Sequence, residues 1–147
     1  MFKQILVATD GSKLSQKAIR AAVKLARATG AGITGAFVIE PYTPPQGEAA
    51  IYVAGISAAR YKSVTKRESR KALAAVEVEA GLAGVPCRSI ALTAYTPWEG
   101  IIRSAKRGSC DLIVMASHGR RGLAGLLLGS ETSKVLTHSK IPVLVCR

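Results

Sequence analysis

The sequence predicts an α/β fold in which an open parallel sheet carries helices on both faces. A short, continuous apolar run stands at Ile5–Ala8, and strongly apolar segments at Asp111–Ala116 and Ile141–Cys146. Such runs lack the polar alternation of a half-exposed strand and suit strands buried on both sides. The segments between strands carry apolar residues at three- and four-residue spacing, the period of a helix. Strands alternating with helices imply right-handed crossovers and a parallel sheet. The 147 residues suit one domain, residues 1–147, a size that buries roughly 70% of the surface its unfolded chain exposes.

Each element has its own signal. After the first strand, Thr9-Asp10-Gly11-Ser12 is a turn with Ser12 as helix N-cap. From Lys13 to Thr29, Leu14, Ala18, Ala21, Ala22, Leu25 and Ala26 mark a helix that Gly30 and Gly32 end. Ile33–Ile39 is a second strand. Glu40 to Gly47 holds three prolines and must be a loop. A long Ala-rich helix runs from about Ala49 to about Gly81, with Ala72, Leu73, Val76 and Ala80 on one face. Cys87–Thr93 is a third strand. Thr96-Pro97-Trp98-Glu99 has the form of a capping box with Pro at the first helical position, opening a helix that runs to Arg107. The fourth strand, Asp111–Ala116, leads into a glycine-rich basic segment, Ser117 to Gly129. A short helix over Ser130–His138 and a last strand over Ile141–Cys146 complete the order.

Composition narrows the function. Lys and Arg number 21 against nine Asp and Glu, a formal charge of +12, yet 48% of residues are apolar. High charge with high hydrophobicity excludes a disordered polycation. No apolar stretch reaches the ~18–20 residues of a membrane helix, and the N-terminus reads as a strand rather than a signal peptide. The three cysteines, Cys87, Cys110 and Cys146, form no C-x-x-C pair. That argues against a disulfide framework and points to a reducing, cytoplasmic compartment.

In an open α/β sheet, ligands bind beyond the carboxyl ends of the strands. Two segments there carry chemistry. In Ser117–Ser130, four glycines between a strand and a helix can turn backbone N–H groups toward a phosphate, Gly129-Ser130 offers a helix N-terminus and a hydroxyl, and Arg120 and Arg121 add charge. The same segment also fits a solvated surface loop. It matches neither the P-loop nor the dinucleotide fingerprint. Asp10, at the tip of the first strand, can accept a ribose hydroxyl or hold Mg²⁺, or cap its own turn toward Ser12.

Ile5-Leu6-Val7-Ala8-Thr9-Asp10-Gly11-Ser12 and the C-terminal third, from Asp111 through Ser117-His118-Gly119 and Leu128-Gly129-Ser130 to Val145, resemble the universal stress protein family. ATP-binding members carry G-x2-G-x9-G-[ST]. The matching positions are Ala116, Gly119, Gly129 and Ser130, so the spacing is intact and the first glycine is alanine. The resemblance implies a five-stranded parallel sheet of the Rossmann-like, adenine nucleotide alpha hydrolase-like kind, and a stress-response homodimer joined through Ile141–Cys146, where Pro142 suits an edge. It implies ATP with Mg²⁺ as a regulatory ligand. Ala8, Thr9 and Asp10 would line the adenosine and metal side, with Asp10 toward Mg²⁺, and Val38 would contact adenine. Ala116, Gly119, Arg120 and Gly122 would meet ribose and phosphate, and Gly129 and Ser130 would hold the phosphate chain. The alternative, kept open by Ala116, is a stress-response dimer that takes no nucleotide and acts through protein contacts.

Catalytic readings are weaker. Met115-Ala116-Ser117-His118-Gly119 is a degraded nucleophile elbow without its first glycine or an evident acid and base. His118 and His138 have no Cys or carboxylate cluster beside them; His138 suits the carbonyls at its helix end. Slow ATP hydrolysis is the outer limit of the chemistry, with no efficient enzyme in view. Trp98 reads as a staple between its helix and the sheet. Lys13, Lys17, Arg20, Lys24 and Arg27 form a stripe within about 80° of arc on the first helix, and Lys62, Lys66, Arg67, Arg70 and Lys71 a second cluster. A solvated helix face is their ordinary explanation. Nucleic-acid binding is the lesser reading, since no aromatic platform interleaves with them.

Overall fold

The computed structural model describes residues 1–47, 57–120, 122 and 128–147. Strand β1 (Gln4–Ala8) is followed by α1 (Lys13–Thr29), β2 (Gly32–Ile39), α2 (Ala58–Leu82) and β3 (Cys87–Thr93). Then come α3 (Pro97–Arg107), β4 (Leu112–Ala116), α4 (Ser130–His138) and β5 (Val143–Cys146). The first nine residues of the helix expected from Ala49 lie outside the described residues, except Ser57. Ser57 caps α2, its side chain accepting from the Arg60 N–H at 3.1 Å.

All five strands pair in parallel, in the order β3-β2-β1-β4-β5. The chain builds outward from β1 in one direction and then returns to build in the other. The order therefore reverses between β1 and β4, and the crevice beyond their carboxyl ends is where a sheet of this kind takes a ligand.

Alternate residues of the central strands face opposite layers. Ile5, Val7, Ile33 and Val114 pack under α1 and α2 through Ile19, Ala22, Val76 and Ala80. Leu6, Ala36 and Ile113 face Ile101 and Ala105 of α3 and Val135 of α4. Both faces are apolar, which is why β1 and β4 read as unbroken hydrophobic runs.

The ends of α1 match their sequence signals. The Ser12 hydroxyl accepts from the Ser15 N–H at 3.1 Å, and Gly30 closes the helix at φ 72°, a conformation that glycine adopts without strain. The start of α3 differs from expectation. Thr96 is at the N-cap, but its hydroxyl makes no cap bond and is buried without a partner among the described residues. The acceptor comes from another helix: the Trp98 N–H donates to the Glu131 carboxylate at 2.9 Å. The Trp98 indole joins the α3–sheet layer, as a staple would. It also stacks on the His138 ring, with centroids 4.6 Å apart. His138 thus serves as a packing partner instead of capping its own helix through its side chain. Glu131→Ala is expected to cost about 1 kcal/mol in urea unfolding, with a change in Trp98 fluorescence in the folded state.

Candidate functional site

The tip of β1 and the loop after β4 meet through Asp10. One carboxylate oxygen accepts the Ser12 N–H at 2.9 Å, capping the turn as its local role predicts. The other accepts the Arg120 N–H at 2.8 Å, joining residues 110 apart in sequence. Gly119 makes this approach feasible: a Cβ there would stand 2.7 Å from the second oxygen. At Gly11, φ is 80° and a Cβ would lie 3.1 Å from the Arg120 guanidinium. Two of the sequence's glycine positions are therefore explained by closeness between loops.

Among the described residues of the loop, Gly122 and Gly129 lie close to His118. The Gly129 N–H donates to the Ser117 carbonyl at 2.6 Å, and the Gly122 N–H to the Gly119 carbonyl at 3.0 Å. A Cβ at Gly129 would meet the His118 Cα at 3.1 Å and the Ser117 carbonyl at 3.2 Å. A Cβ at Gly122 would fall within the His118 ring. The Ser117 hydroxyl lies 3.3 Å from His118 Nδ1 and is buried, away from the exposed position a nucleophile needs. Gly129 is the N-cap of α4 and Ser130 its first residue, exposed at the rim. Arg121 lies outside the described residues.

Ala116 occupies ordinary strand backbone. It is the last residue of β4, pairs with Cys146, and is 9% exposed. Its φ is not positive; Ser109 is the one described non-glycine residue with positive φ. A methyl group costs no backbone strain there. Its carbonyl accepts from the buried Thr132 hydroxyl at 3.0 Å, which ties the end of β4 to α4.

The other expected site residues have neighbours of their own within the fold. Thr9 turns inward, its hydroxyl 3.1 Å from that of Ser15 and accepting the Gly11 N–H at 3.2 Å. Ala8 packs toward α3. Val38, near the carboxyl end of β2, presses against α3 so closely that a Cβ on Gly100 would lie 2.6 Å from it. It stands apart from the Asp10–Gly119 contact, at the same end of the sheet. The Arg120 guanidinium reaches Glu68 of α2 at 3.4 Å. Sequence reasoning missed Glu68, Glu131 and Thr132, whose partners lie 52, 33 and 16 residues away. Of these only Glu131, an acid in the first turn of α4, carried a visible signal.

Burial pushes the Asp10 carboxyl up, but hydrogen bonds from Ser12 and Arg120 and the Arg120 charge outweigh it and hold the group below its ordinary 3.8. A folded-state pKa below the unfolded one stabilises the protein most above the unfolded value. That stability is lost as pH falls through the folded pKa. Urea unfolding should therefore give a free energy that drops below about pH 4, and Asp10→Asn should flatten part of that acid limb while leaving the share of Asp111, which is lowered too.

With this geometry in view, known proteins give the context. A family model described as the universal stress protein family matches residues 1–147. This chain belongs to the universal stress protein family. A universal stress protein of Thermus aquaticus is 32% identical over the whole of both chains, and YxiE of Bacillus subtilis 34% identical over the whole of both. The solved structure of MJ0577, a universal stress protein of Methanocaldococcus jannaschii, superposes with TM-score 0.76 at 27% identity, covering 99% of this chain and 96% of that one. A universal stress protein solved in complex with cAMP superposes with TM-score 0.71 at 26% identity, over 99% and 97%. The five-stranded parallel α/β fold is the one that these universal stress proteins share.

Proposed function

We propose that this universal stress protein acts as a single domain, residues 1–147, that binds ATP with Mg²⁺ as a regulatory ligand at the crevice between β1 and β4. The observation that carries the reading is the Asp10–Arg120 bond beside Gly119. It brings a carboxylate, a glycine-spaced loop and the N-terminus of α4 to the point where strand order reverses. The relative solved with cAMP supports an adenine nucleotide as the ligand class.

The chain's residues suit distinct parts of such a ligand. Gly119 and Gly122 would let the loop lie close beside Gly129 and Ser130 at the α4 N-terminus, whose dipole and free N–H groups favour the anionic phosphates. The Arg120–Glu68 pair is half-exposed, at 46% and 42%, so it is worth about 0–1 kcal/mol. A phosphate can compete with Glu68 for the guanidinium at little cost. Ala8, Thr9 and Val38 would border the nucleoside. Mg²⁺ fits here only as a companion of the phosphates. Among the described residues no group of three His, Cys, Asp or Glu converges, while each Asp10 oxygen accepts one N–H and keeps a lone pair. One carboxylate plus ligand oxygens is a usual Mg²⁺ set, and the ion would neutralise phosphate charge. The role proposed is binding, with slow ATP hydrolysis as its outer limit.

The same reading makes the protein a cytoplasmic homodimer paired through Ile141–Cys146. β5 is an edge strand, and Leu144 on it is 41% exposed. No helix among the described residues is long and apolar enough to cross a membrane.

Thermal denaturation with ATP and Mg²⁺ tests the binding. At one hundred times Kd the native state gains about 2.7 kcal/mol, a rise of roughly 5–10 °C for a chain of this size. No shift at millimolar ATP and Mg²⁺ would overturn the nucleotide reading and leave a dimer acting through protein contacts.

A further inference from the structure

The positive charge is concentrated on one side of the sheet. Helices α1 and α2 pack on the same face and together carry eleven Lys or Arg against three Glu. Helices α3 and α4, on the opposite face, carry four against two. Lys13, Lys17, Arg20, Lys24 and Arg27 are all exposed along α1, and Lys62, Lys66, Arg67, Arg70 and Lys71 along α2. Among the described residues none of them is in an ion pair: the two recorded pairs are Arg120–Glu68 and Lys134–Glu131. An open groove of about 450 Å³ runs between the helices, bordered by Gln16 of α1 and by Glu68, Lys71 and Val78 of α2, and reaches Gly11 and Arg120 at the crevice.

We propose that this face binds the phosphodiester backbone of duplex nucleic acid without sequence preference, the phosphates following the α1 stripe and the groove beside it. From Lys13 to Lys24 and on to Arg27 the stripe extends about 21 Å, with a cation every ~5 Å, a charge spacing suited to a polyphosphate strand. Ten exposed cations on one face, unpaired among the described residues, attract a polyanion more than a single small anion. A membrane surface is the poorer match. Interfacial helices interleave large apolar side chains with their cations, whereas no exposed large apolar side chain lies on α1, and those of α2, Val78 and Leu82, lie beyond its last cation. No aromatic side chain stands among the α1 cations, and Tyr61 of α2 is held against Tyr42 and the Glu40 carbonyl. Base stacking is thus not offered, which favours a duplex over a single strand. The inference requires no nucleotide in the crevice, although Arg120 of the crevice also borders this groove.

The test is anisotropy of a fluorescent 20-base-pair DNA duplex titrated with the full chain without nucleotide, from 50 to 200 mM salt. Binding should fall steeply with salt. Lys17→Glu with Lys24→Glu should weaken it at least about ten-fold and lower the log–log salt slope by about two. Arg103→Glu with Lys106→Glu removes the same charge from the opposite face and should change affinity less than about three-fold. Unchanged melting of each variant excludes misfolding. Equal losses in the two pairs would reduce the effect to net charge and overturn the proposal. So would absence of duplex binding at 50 mM salt, or sedimentation with phosphatidylserine vesicles in place of duplex binding.

Discussion

Gly129→Val should abolish the rise in melting temperature expected of the parent protein with ATP and Mg²⁺. Gly129 caps α4, and a Cβ on it would meet backbone, the His118 Cα at 3.1 Å and the Ser117 carbonyl at 3.2 Å. Backbone cannot rotate aside as a flexible side chain can, and valine adds two further methyl groups. The start of α4 must move away from Ser117, opening the 2.6 Å bond from the Gly129 N–H and displacing the Ser130 N–H from the crevice. The whole ligand-linked stabilisation, about 2.7 kcal/mol at one hundred times Kd, would go with it. Lys17→Glu, on the exposed face of α1, should keep the shift. A full ATP response in Gly129→Val would remove the α4 terminus from the site.

The largest loss of stability is expected at the centre of the sheet. Ile113 is fully buried in β4, opposite Leu6 of β1 and Val143 of β5, and packs in the layer of Ile101 and Val135. Strands on both sides and helices above prevent collapse around a shortened side chain. Ile113→Ala should therefore cost about 2–5 kcal/mol, lowering the melting temperature by roughly 5–20 °C. Chemical unfolding with an unchanged m-value would assign the loss to packing. A cost below 1 kcal/mol would mean that the two layers close over the gap.

What the sequence announced and what it withheld divide along physical lines. The strands of β1 and β4, the Ser12 and Gly30 ends of α1, and the nearness of Asp10 to Gly119 follow from local patterns or from the glycine spacing. The start of α3 looked self-contained, yet its cap is Glu131 from α4. His138 looked like a helix-end residue, yet it stacks on Trp98. Arg120 looked like a phosphate ligand, and its guanidinium rests on Glu68. Each of these depends on elements far apart in sequence meeting across the fold, a distance no periodicity encodes. Val38 is similar: the fit of its side chain against Gly100 is invisible until β2 and α3 are packed. Ala116 shows the converse, since the departure from a glycine pattern becomes unremarkable once the residue sits in regular strand backbone.

The bond between Asp10 and Arg120 spans 110 residues, and β1 finds its partner β4 only after two other strands have formed. Contacts of such sequence separation are slow to close. During synthesis, β1, α1 and β2 can emerge and dock while the crevice still lacks one wall. Under the proposed function, ligand capture is then a late event of maturation: the crevice is incomplete until the final third of the chain has left the ribosome and folded back onto the first. A nucleotide-dependent signal of that kind would report on finished molecules and be silent for nascent ones.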